Sequence, residues 1–146
     1  MDGDLQEARS LELRGCIATL RIVDNAHAIE VEAHGPDALI RGRHVEPMQF
    51  HFQAASAHTI DAASFPHEGH FVSEARRGHG HGHLAMVGVM DRDSDSTRLA
   101  DEVRWATPAE GGIEREDLAM TLPRDKRHRQ GLGSSTTPPL TESVAW

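Results

Sequence analysis

Residues 48–53 read Met48-Gln49-Phe50-His51-Phe52-Gln53. Side chains of a β-strand point to alternate faces with a period of two. As a strand, this stretch puts Met48, Phe50 and Phe52 on one face, which suits a packed core. Gln49, His51 and Gln53 fall on the other, which suits a polar site. Further on, Glu68 and His70 also stand two apart and share one face of a strand. Two adjacent strands of this kind can present His51, Gln53 and His70 toward one point. Glu68 is then poised to fix a ring nitrogen of a neighbouring histidine. Three protein ligands plus a water is the usual plan of a catalytic zinc site.

The chain around this centre is rich in short strand signals. Residues 17–24 and 28–33 alternate, with Ile29 and Val31 on one face, and Gly35-Pro36 punctuates them. Residues 39–45 and 48–53 read as two more strands, interrupted by Gly42 and Pro47. Residues 56–65 form a polar connection, and 68–73 are a further strand. Residues 84–90 are a near-continuous apolar run, as expected of a central strand buried on both faces. A short amphipathic helix is expected over 94–106, with Leu99, Val103 and Trp105 amid charges, and a turn of helix over 117–122. The fold expected is mainly β, or α+β with few short helices.

Composition narrows the function. The 146 residues fit one domain, with apolar residues at 38% and no Tyr. The net charge of −8 argues against nucleic acid as a partner. No stretch approaches the apolar length of a membrane span. Met1 to Ser10 is polar and acidic, without the apolar core of a secretion signal, so the sequence as it stands is expected in the cytoplasm. The single Cys16 has no internal disulfide partner and reads as a small packing residue. Histidine is abundant, with 11 copies. Three of them lie in Gly78-His79-Gly80-His81-Gly82-His83. That alternation can chelate divalent metals but reads first as a solvent-exposed hairpin loop.

Three blocks of sequence carry a specific resemblance. The first is Gln49-Phe50-His51-Phe52, then Ser56-Ala57-His58-Thr59-Ile60-Asp61, then Phe65-Pro66-His67-Glu68-Gly69-His70. The second is Gly133-Ser134-Ser135-Thr136-Thr137-Pro138-Pro139-Leu140-Thr141-Glu142, and the third Leu20-Arg21-Ile22-Val23-Asp24-Asn25-Ala26-His27. Together they resemble the alpha-class carbonic anhydrase family, in family order, from about Ala18 to Trp146. The resemblance implies a central twisted, mostly antiparallel sheet and a zinc ion that supports reversible hydration of carbon dioxide to bicarbonate. His51 and His70 match two of the three zinc ligands, and Gln53 stands at the third. Gln49 and Glu68 match the partners of those ligands, and His58 a buried structural histidine beside them. Thr136 matches the hydroxyl that orients the attacking oxygen. Val72, Ser135 and Thr137 match residues of the substrate pocket, and His27 the proton shuttle.

The sequence also departs from the family pattern. Gln53 replaces a histidine, and a neutral amide is a weaker zinc donor than imidazole. Ala57 replaces the Glu that fixes the Thr hydroxyl, Ser135 an apolar pocket residue, and Leu140 a Cys that many secreted members pair. Family members also extend past both ends of this chain. The reading is a poorly matched segment over 1–16 and a partial domain over 17–146. Open sheet edges are then expected, with weak stability or self-association into a homo-oligomer. The expected function is a weak zinc-dependent carbonic anhydrase. The alternative is an inactive carbonic anhydrase-like binding module or fragment. Family relatives are often periplasmic or secreted.

Overall fold

The computed structural model describes residues 5–6, 17–24, 29–35, 38–40, 43–77, 80–91, 116–117, 122, 127–136 and 139–146. The strands are β1 (Leu5–Gln6), β2 (Ile17–Asp24), β3 (Ile29–His34), β4 (Ala38–Ile40), β5 (Arg43–Ala54), β6 (His67–Arg77), β7 (Gly80–Asp91), β8 (Glu116–Asp117), β9 (His128–Arg129), β10 (Leu132–Gly133) and β11 (Val144–Ala145). Nine of them form one sheet in the order β10-β11-β7-β6-β5-β3-β2-β8, with β4 paired to the start of β5. Its one parallel pair is β11 with β7; the other pairs are antiparallel. β1 and β9 pair separately. The expected mainly β fold and mostly antiparallel sheet are therefore present. There is no helix among the described residues, and the helix expected over 94–106 lies outside them. Asp117 does not open a helical turn: it is the second residue of β8, drawn into extended pairing opposite Ile17 at the edge of β2.

The core follows the alternation along β5, with one correction. Residues 39–45 and 48–53 are not two strands divided at Pro47. β5 runs unbroken over 12 residues, and its register against β6 shifts between Pro47 and Gln49. Met48 is the extra residue of this bulge and stands 41% exposed, so it does not share the packed face with Phe50 and Phe52. A bulge inverts the facing of the residues beyond it. That inversion lets Val45 and Phe50, an odd number of residues apart, join the same buried cluster with Ala18, Ile22, Val31 and Ala33. It also gives Pro47 one of the few positions inside a sheet where a missing N–H is tolerated. Phe50 stacks on Phe71 of the facing strand at 5.4 Å and meets Phe52 edge-on at 6.0 Å. Burying Phe50 stabilises the fold by roughly 3 kcal/mol.

The opposite face of β6 packs Val72 against Met86 and Val144, with Leu84 and Trp146 at the margin. In β7, only Met86 is buried among the described side chains, and Gly88 is exposed. The run over 84–90 is therefore not buried on both faces, because around Gly88 this face opens toward the histidines described below. The expected loop over 78–83 is also shorter: Gly80 already pairs with Arg77, so residues 80–83 extend β7 along β6. The connecting residues 78–79, and the side chains of 80–83, lie outside the description.

Candidate metal centre

The register of β5 against β6 sets the site. His51 lies opposite His70, Gln53 opposite Glu68, and Gln49 opposite Val72. Directly paired residues of an antiparallel ladder share a face and touch. The face away from Phe50 therefore collects two imidazoles, two amides and a carboxylate. His51, Glu68 and His70 are each at most 1% exposed. The connection after β5 folds back over this face. Its ends are tied by Ser56 N–H to Phe65 O (2.9 Å) and Phe65 N–H to Ser56 Oγ (2.9 Å). This returns His58 to Glu68, whose Oε2 accepts the His58 backbone N–H at 3.0 Å and whose Oε1 accepts the His58 ring Nδ1–H at 2.7 Å. A third segment closes the site. Paired backbone bonds between Gly131 and Trp146 (2.9 and 3.1 Å) and from Ser135 N–H to Thr141 O (2.8 Å) hold the turn that carries Thr136.

A hydrogen bond fixes the ring proton of His51, and the nearby charge of Glu68 favours the matching tautomer of His70. His51 Nδ1 lies 2.9 Å from Gln49 Oε1, which can only accept, so Nδ1 carries the proton and Nε2 a lone pair. His70 Nε2 lies 3.0 Å from the Glu68 carboxylate, which likewise places the proton on Nε2 and a lone pair on Nδ1. That approach is off the line of a hydrogen bond, and the buried Nε2 has no hydrogen-bond partner. The two bare nitrogens, His51 Nε2 and His70 Nδ1, then face each other at 3.2 Å. Burial foremost, then repulsion from His70 against a weaker pull from Glu68, lowers the His51 pKa to about 4. His51 is therefore neutral and a donor at neutral pH. Thr136 Oγ1 stands 3.1 Å from His70 Nδ1 and accepts from Gln53 Nε2 at 3.0 Å.

Facing lone pairs repel unless a cation lies between them, and without one the contact closes as a hydrogen bond when a ring proton moves to one of the two nitrogens. Two nitrogens bound at about 2.0–2.1 Å to one tetrahedral ion sit about 3.3 Å apart, close to the spacing here. Two imidazole nitrogens joined by one amide oxygen make a weak zinc donor set, since the amide is a poorer ligand than a third imidazole. The residues present thus fit a zinc ion at the convergence of His51, His70 and Gln53, with the Thr136 hydroxyl beside the open position.

A second grouping, His58, Glu68 and His70, brings its donor atoms within 4.8 Å of one another and could also hold a cation. Its atoms are already committed, because both Glu68 oxygens accept from His58. Burial alone would raise the Glu68 pKa. The pull of His70 and of the His58 ring and backbone N–H outweighs it and leaves the pKa at about 2. Glu68 is therefore a fixed anion that orients two imidazoles. Trp146 packs edge-on against both, with ring centroids 4.4 Å from His58 and 5.0 Å from His70. Its indole N–H donates to Ser134 O at 3.1 Å.

Of the residues singled out from sequence, the fold brings together His51, Gln53, His70, Gln49, Glu68, His58 and Thr136. Val72 is buried in the neighbouring apolar cluster and Ser135 is buried in the Thr136 turn. His58 is half-buried. His27 and Thr137 lie outside the described residues. Sequence reading missed Val144, Trp146 and Gly88. An isolated Gly inside the apolar run of β7 was a signal for the last, since such a residue often marks a close approach.

No family model matches the chain. It is similar to the carbonic anhydrase of Pectobacterium carotovorum, 29% identical over 143 residues that cover 93% of this chain and 57% of that protein. Carbonic anhydrase 7 of Homo sapiens is 32% identical over 164 residues, covering 93% of this chain and 61% of that protein. Among solved structures, the Photobacterium profundum alpha-carbonic anhydrase superposes with a TM-score of 0.78 at 29% identity, over 94% of this chain and 64% of that one. The chain therefore spans less than two thirds of each of these relatives. The sheet and the sequence are those of alpha-class carbonic anhydrases over the part of their length that this chain spans.

Proposed function

We propose that this chain binds one zinc ion on His51, His70 and Gln53 and hydrates carbon dioxide reversibly to bicarbonate and a proton, at a low rate. The observation that carries this reading is the pair of facing ring nitrogens 3.2 Å apart, each ring held from behind by Gln49 or Glu68. Zinc, when bound, supplies a Lewis acid that brings the pKa of a coordinated water near 7. Gln49 and Glu68 keep the two imidazoles in the donor tautomer. Thr136 orients the reacting oxygen. Val72, Met86 and Val144 form an apolar wall beside His70 that suits carbon dioxide, with Ser135 and Thr137 completing the pocket. His27 passes the proton to solvent, a task that suits a histidine with an ordinary pKa near 6.5.

The low rate follows from two residues. Gln53 is a weak donor, and Ala57 offers no acceptor for the Thr136 hydroxyl. The Gln53–Thr136 hydrogen bond and the approach of that hydroxyl to His70 favour a second reading, a binding module without turnover. Stopped-flow carbon dioxide hydration on tag-free protein with added zinc, beside His70→Ala, separates the two. A rate above background that vanishes in His70→Ala supports the enzyme. Equal rates leave the binding module.

A further inference from the structure

Gly88 stands in β7 directly opposite His70 of β6. Its exposure shows that it is not there to fill the core. Its backbone lies outside the left-handed region, so the conformation does not demand glycine either. What demands it is a neighbour: a Cβ at position 88 would sit 2.7 Å from Glu68 Oε1 and 3.7 Å from its Cδ, with Trp146 Cζ3 at 3.6 Å. A carboxylate at the end of a free side chain could swing away from such a methyl. This one cannot do so cheaply. Glu68 is 0% exposed, both its oxygens accept from His58, and Oε1 is the atom that faces His70 Nε2.

We infer that Gly88 is a positioning residue for the site. It leaves the hollow in which the Glu68 carboxylate lies, and through that carboxylate it sets the ring orientations of His70 and His58. Its weight for catalysis rests on the zinc reading above, but its effect on Glu68 does not. The chain reserves a side-chain-free position in the otherwise apolar run 84–90 of β7 for a buried anion. The same vacancy keeps Trp146 within reach of both imidazoles.

The test is a double-mutant cycle in metal-free protein, with Gly88→Ala made in the wild type and in Glu68→Ala, and urea unfolding as the readout. In the wild type, Gly88→Ala should lower the folding equilibrium constant at least about tenfold, a cost of overpacking. In Glu68→Ala the hollow is empty and alanine suits a strand better than glycine, so the change should be under about threefold or stabilising. An equal loss in both backgrounds would overturn the inference, because the glycine would then serve the strand and not the carboxylate. Should Glu68→Ala not fold, NMR of the histidine rings decides. The low-field ring N–H that His58 shares with Glu68 should shift or vanish in Gly88→Ala, and an unchanged signal overturns the inference. Cobalt(II) affinity, measured alongside, should fall at least about tenfold in Gly88→Ala. If the wild type binds no cobalt, the zinc reading fails, while the unfolding cycle and the ring signal still decide the role of Gly88.

Discussion

Replacing Gln53 by histidine should raise zinc affinity by about a hundredfold. Gln53 lies on the same face of β5 as His51 and already points at the site, so an imidazole there needs no new backbone. Two contributions add. To offer its carbonyl oxygen to the ion, the Gln53 amide must give up the 3.0 Å bond from Nε2 to Thr136. A hydrogen bond of this kind is worth about 1 kcal/mol. The exchange of a neutral amide oxygen for an imidazole nitrogen, the better zinc donor, contributes on the order of a further 2 kcal/mol. Together these make about 3 kcal/mol, near two powers of ten. Competition against a chromophoric chelator, on wild type and Gln53→His at equal concentration, measures this directly. The variant should also release Thr136 and raise the hydration rate. An affinity within threefold of wild type, in a variant with an unchanged melt, would refute the reasoning. It would mean that the side chain at 53 does not face the ion.

Glu68→Gln keeps the shape but turns an acceptor toward two His58 N–H groups into a partial donor. Zinc affinity should fall about tenfold to a hundredfold, and calorimetry should show a stability loss on the order of 3 kcal/mol. Acid should weaken the metal-free fold in two steps. The folded pKa values of His51 (about 4, against 6.5) and Glu68 (about 2, against 4.5) are both depressed. The unfolded chain therefore binds more protons in each interval, and stability rises with pH there. The His51 contribution, roughly 3 kcal/mol at most, is complete above pH 6.5 and lost toward pH 4. That of Glu68 is complete above pH 4.5 and lost toward pH 2. A flat unfolding free energy from pH 7 to pH 4 would count against the burial of His51. Phe50→Ala should cost about 3–5 kcal/mol, while Met48→Lys, at the exposed bulge, should stay within about 0.5 kcal/mol. Similar melts for the two would contradict the placement of the bulge.

Much of the site could be read from the period of two. His51 and Gln53 on β5, and Glu68 and His70 on β6, were separable from Phe50 and Phe52 because polar and apolar residues alternate there without exception. That alternation becomes a site only when the two strands are neighbours in register, a long-range fact that no local pattern contains. The same limit hid the bulge. Met48 continues the apolar alternation perfectly, and only the ladder against β6 shows that it is the extra residue. Val144 opens a strand of two residues, too short for any period, and Trp146 follows that strand; the parallel pairing of β11 with β7 brings Val144 onto Val72 and Met86 and Trp146 onto the histidines. Gly88 announced itself as an odd residue in an apolar run, yet its reason, an oxygen of Glu68 two strand positions away, exists only after folding. Proline at 47 suggested a break. The bulge beside it absorbed the missing donor instead.

The claim at the centre of this account is that His51 Nε2 and His70 Nδ1 grip one metal ion. Cobalt(II) titration of metal-stripped protein, followed by visible absorption, tests it most directly, because a spectrum distinguishes this site from cobalt held elsewhere on a histidine-rich chain. The account predicts intense bands of a low-coordinate ion that saturate at one per chain and disappear in both His51→Ala and His70→Ala. Bands that persist unchanged in those two variants, or no such bands in a folded wild type, would contradict it.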